Sequence, residues 1–114
     1  MAVHPPNPNR QWPTIAGFDW DAGNREKCAK HGVSPAAIEA LFHRPVAMFR
    51  DPAHSRDEER FKAIGKTDNG RSLFVVFTLR RRAGGSFIRP ISARYMHAKE
   101  IANHEEEAAK TGQR

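Results

Sequence analysis

The chain has 114 residues, 39% of them apolar, with a formal net charge of +6 and a pI of about 10.1. That length holds one domain with a single core, and the apolar fraction is enough to fold it, so the excess positive charge points to an anionic partner rather than to disorder. No apolar run approaches the ~20 residues of a membrane-spanning helix, and a lone cysteine, Cys28, excludes an intramolecular disulfide.

Met1–Gly17 holds four prolines and lacks the apolar core of a secretory signal. It is expected to be a disordered arm, with Trp12 or Ile15 as its only docking groups, and a reducing cytoplasm is the simplest compartment. The folded domain is expected over residues 18–110. Asp21 can cap a helix over Ala22–His31, with Gly32 suited to its left-handed exit, and Asn24, Cys28 and His31 fall on one face. Burial as a small apolar residue is the simplest reading of Cys28. Ser34-Pro35 opens a second helix with Ala37, Ile38, Leu41 and Phe42 on its apolar face, ended near Arg44 by Pro45.

Four strands follow. They are Val46–Phe49, Arg60–Lys66, Leu73–Arg80 and Phe87–Arg94, separated by the polar loop 50–58 and by turns at Asp68-Asn69-Gly70 and Ala83-Gly84-Gly85-Ser86. A last helix is expected from about His97 to Lys110. The fold class is therefore α+β: two N-terminal helices, a four-stranded antiparallel sheet and a C-terminal helix.

Between Arg71 and Lys99 the chain carries Arg71, Arg80, Arg81, Arg82, Arg89, Arg94 and Lys99, and no acid. Arginines fixed on strands can hold a phosphate in one geometry, which a flexible basic tail cannot. Strict alternation puts Phe74, Val76, Thr78 and Arg80 on one side of their strand. On the next strand it sets Ile88, Pro90, Ser92 and Arg94 against Phe87, Arg89, Ile91 and Ala93. Antiparallel pairing favours a cluster of Arg71 with Arg94 over one of Arg80 with Arg94.

RNA cleavage without a metal needs a base for the 2′-OH proton, a cation for the crowded phosphate and an acid for the leaving 5′-oxygen. Glu59, with Glu58 next to it and Arg60 and Lys62 following, is a candidate base, and His31 or His97 can take either proton role. The histidines at 4, 31, 43, 54, 97 and 104 form no i, i+4 helical pair, so no metal and no cofactor is expected. The helix–Gly32-Val33-Ser34–helix segment also has the outline of a DNA-reading helix-turn-helix. Its second helix, however, lacks the Asn, Gln and Arg that read base edges.

The blocks Phe18-Asp19-Trp20-Asp21, Lys30-His31-Gly32-Val33-Ser34, Phe49-Arg50-Asp51-Pro52 and Asp57-Glu58-Glu59-Arg60-Phe61 have a familiar order. Together with Ile64-Gly65, Gly70-Arg71-Ser72-Leu73, Val75–Arg80, Ile88–Arg94 and Tyr95–Glu100 they resemble the BrnT family of bacterial toxins over residues 18 to about 107. The resemblance implies a RelE-like ribonuclease fold and metal-independent cleavage of RNA that halts translation. It also implies a BrnA-type antitoxin that binds DNA and represses the shared operon as a complex. Glu59, Arg71, Arg80 and Arg94 lie in the family's recurrent motifs and, with His31, are the carried-over catalytic candidates. Where the family often has a tyrosine in the last helix, this chain has His104.

The resulting expectation is a cytoplasmic ribonuclease toxin. Arg71 and Arg94 would grip the scissile phosphate, helped by Arg80, with Glu59 or His31 as base and His97 as acid. Arg81, Arg82, Arg89 and Lys99 would bind RNA. The alternative of another class is a non-catalytic nucleic-acid-binding regulatory module using the same face.

Overall fold

The computed structural model describes residues 13–112. The proline-rich residues 1–12, most of the expected arm, lie outside the described residues. The elements in chain order are β1 (Ile15–Phe18), α1 (Ala22–Ala29), α2 (Pro35–Phe42), β2 (Ala47–Arg50), β3 (Phe61–Lys66), β4 (Ser72–Arg82), β5 (Gly85–Tyr95) and α3 (Ala98–Gly112). One turn of 3₁₀-helix, Pro52–His54, interrupts the loop after β2.

The sheet has five strands in the order β1-β5-β4-β3-β2. The expectation of four antiparallel strands is corrected by β1, which pairs in parallel with β5 and makes the sheet mixed. Ile15 seats this strand in the core at 2% exposure, and β1 covers the backbone of β5 that would otherwise be an open edge.

The helix starts follow local chemistry. Asp21 accepts from the Asn24 backbone N–H while the Asn24 side chain accepts from Asp21 N–H, a reciprocal capping box. The α1 helix stops at Ala29, short of the expected His31, and the chain leaves through Gly32 at φ +77°. His31 is thus exposed in the turn, while Asn24 and Cys28 are buried. Ser34 caps α2 through the Ala37 N–H. Ile38, Leu41 and Phe42 of α2 are all buried, so this helix is a core element and the helix-turn-helix reading falls.

One face of the sheet carries the core. Leu73, Val75 and Phe77 of β4 meet Ile38, Leu41 and Phe42 of α2, together with Cys28 of α1 and Phe61 and Ala63 of β3. The Phe77 ring packs edge-on against Phe42 at 5.2 Å and stacks on Phe61 at 5.5 Å. Leu41 comes so near β3 that a Cβ on Gly65 would lie 2.8 Å from its Cδ1, which explains a glycine inside a strand.

Strict alternation fails once, in β5. Val76 pairs with Ser92 but Phe77 pairs with Pro90, leaving Ile91 as the extra residue of a bulge. Proline has no N–H to give the ladder, and bulges are where sheets accommodate it. The Pro90 carbonyl accepts instead from the buried Asn24 side chain of α1 at 2.9 Å. The bulge turns Pro90 and Ile88 to the core and moves Arg89 to the face that carries Arg94 and Ser92. This corrects the expectation that Arg89 and Arg94 point to opposite sides.

Candidate nucleic-acid interface

The face opposite the core is built in rungs by the strand pairing. Phe74 lies beside Arg94 and Ile64, Val76 beside Ser92 and Lys62, Thr78 beside Arg89, and Arg80 beside Phe87. Arg82 continues the row. At its far end α3 touches this face, where His104 packs edge-on against Phe49 at 6.2 Å.

The four arginines that β4 and β5 set on this face, Arg80, Arg82, Arg89 and Arg94, are each held by a carboxylate from outside the acid-free run. Arg82 donates to Asp19 at 2.9 Å and Arg89 to Asp21 at 2.8 Å, with Arg89 also 3.7 Å from Asp19. Arg80 donates to Glu58 at 3.2 Å. Arg94 lies over the Phe74 ring and donates twice to Glu100, at 2.7 and 2.8 Å. The Asp21 carboxyl is held below its ordinary pKa by the Asn24 backbone N–H and then by Arg89. Glu100 is held down to about 2 by Arg94 and then by the His97 backbone N–H. Burial alone pushes the Cys28 thiol up, as expected of an inert core residue.

The residues singled out from sequence divide accordingly. Arg80, Arg82, Arg89 and Arg94 share the open face. Arg71 does not join Arg94: its guanidinium lies 3.6 Å from the ring centre of Tyr95, which pairs with Leu73 and so belongs to the helix side. Glu59 is engaged by Arg50, whose guanidinium sits over Phe61 on that same side. Arg81 pairs across from Ser86 and also faces that way. His31 is exposed beyond α1, away from the arginines. His97 and Lys99 are exposed at the start of α3, where the His97 backbone N–H donates to Glu100 at 3.0 Å.

Four carboxylates were missed as partners of this face: Asp19, Asp21, Glu100 and, in preference to Glu59, Glu58. No local pattern marks the last: Glu58 lies in a bend ahead of β3, where strand alternation does not apply, and the fold brings it to Arg80. A cleft of about 360 Å³ lined by Arg56, Asp57, Glu58 and Arg60 opens beside the Arg80–Glu58 pair. Among the described residues no three His, Cys, Asp or Glu side chains gather as a metal site, and no helix is long and apolar enough to cross a membrane.

Guanidinium groups set in rows on one face of a sheet define a small α+β domain with a cationic face of the kind that suits a polyanion. The sequence pattern of one family, described as the ribonuclease toxin, BrnT, of type II toxin-antitoxin systems, matches residues 20–100. The chain belongs to this family of ribonuclease toxins, which implies RNA as substrate and an antitoxin as partner. A comparison with curated proteins gave no match.

Proposed function

We propose that this chain cleaves RNA without a metal ion, on the open arginine face, and that a BrnA-type antitoxin neutralises it by covering that face. As in other two-component operons of this kind, the toxin would reach operator DNA only through the antitoxin. The reading places the protein in the bacterial cytoplasm, where both RNA and antitoxin are found.

The observation that carries this reading is the row of Arg80, Arg82 and Arg89 at one end of the face, with the Glu58 carboxylate on Arg80. Arg94 cannot serve the same phosphate. Its partner Phe74 is six residues from Arg80 along β4, roughly 20 Å at ~3.3 Å per residue. The two ends therefore hold different phosphates of one strand, the scissile one by Arg80. Arginines supply the positive charge that stabilises the crowded phosphorane. The Glu58 carboxylate takes the proton of the attacking 2′-OH. The 2′-oxygen–phosphorus bond forms as the 5′-oxygen–phosphorus bond breaks, and the departing 5′-oxygen takes a proton from solvent at this exposed face. The products are a 2′,3′-cyclic phosphate and a 5′-hydroxyl. Glu59, Arg71 and His31 have no step in this scheme, and His97 acts only at the Arg94 end, through Glu100.

The test is induction of the wild-type chain and of Arg80→Ala in bacteria at equal protein levels, followed by growth and the integrity of total RNA. Arrest with RNA fragmentation in the wild type, reduced roughly a hundredfold in rate by Arg80→Ala and unaffected by a chelator when the purified chain is assayed, is the expected result. Arrest with intact RNA would favour the non-catalytic binding module instead.

A further inference from the structure

Among the described residues two buried side-chain polar atoms lack any hydrogen-bond partner, Thr78 Oγ1 and Arg80 Nε. They are two residues apart on β4, so both belong to the open face, at the rungs of Arg89 and Phe87. Thr78 itself has no exposed surface. Buried polar groups are nearly always satisfied, because an orphan forfeits the hydrogen bonds it made with water. Two such groups side by side, among arginines, with no other buried side-chain donor left unsatisfied among the described residues, call for a common acceptor. Both can donate: the hydroxyl rotates to suit, and Nε–H is fixed in the guanidinium plane.

We infer that Thr78 Oγ1 and Arg80 Nε form a phosphate subsite, in which a backbone phosphodiester of RNA accepts from both. This rests on the ribonuclease reading above and adds to it a residue, Thr78, that neither motif nor charge had marked. The free structure shows what the anion replaces. The Arg80–Glu58 pair is the longest of the hydrogen-bonded ion pairs on this face, at 3.2 Å, and about two-fifths exposed at each end. A pair so exposed contributes little and exchanges readily. A phosphodiester bears a charge of the same sign as Glu58 and, like it, two anionic acceptor oxygens, enough to accept from Thr78 Oγ1 and Arg80 Nε together. As it takes the Arg80 guanidinium the side chain turns, Thr78 is uncovered, and the same exchange frees the Glu58 carboxylate beside the cleft it lines.

The deciding variants are Thr78→Val, which keeps the volume and removes the hydroxyl, and Arg80→Lys, which keeps the charge and removes Nε. The probe is a fluorescein-labelled 2′-O-methyl oligonucleotide, which cannot be cleaved, read by anisotropy over a range of salt. Thr78→Val should weaken binding roughly tenfold at every salt concentration, the size of one hydrogen bond to a charged acceptor. The slope of log K against log salt should not change, since no charge is lost. Arg80→Lys should weaken binding comparably with the slope again kept. The free Thr78→Val protein should melt at or above the wild-type temperature, since it loses an unsatisfied group. Wild-type affinity in Thr78→Val, or a lowered melting temperature showing that the hydroxyl is already satisfied inside the free protein, would overturn the subsite. Cleavage of the matching unmodified RNA, run alongside, reports separately on the ribonuclease reading: the subsite predicts weaker binding in the variant whether or not the wild type cuts.

Discussion

The two faces of the sheet are made of the same strands and are stabilised in different ways. Toward α1 and α2, alternate residues of β4 (Leu73, Val75, Phe77) are sealed at 1% exposure or less. Their stabilisation is burial, which is non-directional and insensitive to salt. On the other side, Arg80 and Arg82 at the far end of β4, with Arg89 and Arg94 of β5, stand in ion pairs, well exposed at Arg82 and mostly buried at Arg89. The pairs there contribute little to stability individually, yet they place charge. One face keeps the fold, and on the proposed reading the other exchanges its carboxylates for RNA or antitoxin. A toxin that must bind RNA at one time and an antitoxin at another needs that separation.

The sharpest way to break this contrast is Phe77→Ala. Emptying a site packed between Phe42 and Phe61 should cost about 3–5 kcal/mol in urea unfolding. Arg82→Ala, five residues further along the same strand but on the open side, should cost within about 1 kcal/mol. Comparable losses at the two positions would mean that the faces are not divided as described.

Asn24 lies where the two faces are coupled. Its buried side chain donates to the carbonyls of Asp19 and Pro90 and accepts from Asp21 N–H. It thereby fixes both the bulge that turns Arg89 outward and the segment that supplies Asp19 and Asp21. Asn24→Ala should lose about 2–3 kcal/mol, since two buried carbonyls lose their donor. It should also weaken RNA binding although no cation is removed. Lost stability with unchanged RNA affinity would uncouple the bulge from the arginine face.

Acid probes the α3 end. Glu100 has its pKa lowered from 4.5 to about 2 in the folded chain, first by Arg94. A carboxyl depressed on folding stabilises above its unfolded value, so this contribution is complete above about pH 4.5 and disappears as the pH falls toward 2. A carbon NMR titration of the Glu100 carboxyl should show the low midpoint, and Arg94→Gln should return it toward the ordinary range. An unchanged midpoint in that variant would show that Arg94 is not what holds α3 to the sheet.

Much of the helix-packed face was legible in the sequence. Caps at Asp21 and Ser34, apolar spacing in α2, and alternation in β4 are local signals, and each appears in the fold where it was expected. The departures have tertiary causes. The β1 strand is four residues, Ile15–Phe18, with no alternation of its own; parallel pairing to β5 and burial of Ile15 make it a strand. The bulge depends on a side chain 66 positions away, Asn24, although Pro90 inside a strand was a readable warning. For the site, composition located the arginines but not their grouping. A run free of acids looked like uncompensated charge; the compensating carboxylates come from residues 19, 21, 58 and 100, which only folding brings near.

The smallest effect is also the most specific to this division. Arg71 and Arg94 stand close in the antiparallel register and look from sequence like one clamp, yet Arg71 lies on Tyr95 and Arg94 on Phe74. Tyr95 pairs with Leu73 of the core face, Phe74 with Arg94 itself. Arg71→Ala should cost about 0.5–1 kcal/mol of stability for the lost ring contact. In a double-mutant cycle on RNA binding, the Arg71 and Arg94 effects should add within about 0.5 kcal/mol, as independent sites do. Arg82 and Arg89, which share Asp19, should not add. A coupling of 1 kcal/mol or more between Arg71 and Arg94 would return them to one phosphate and require RNA to wrap the sheet edge rather than lie along its open face.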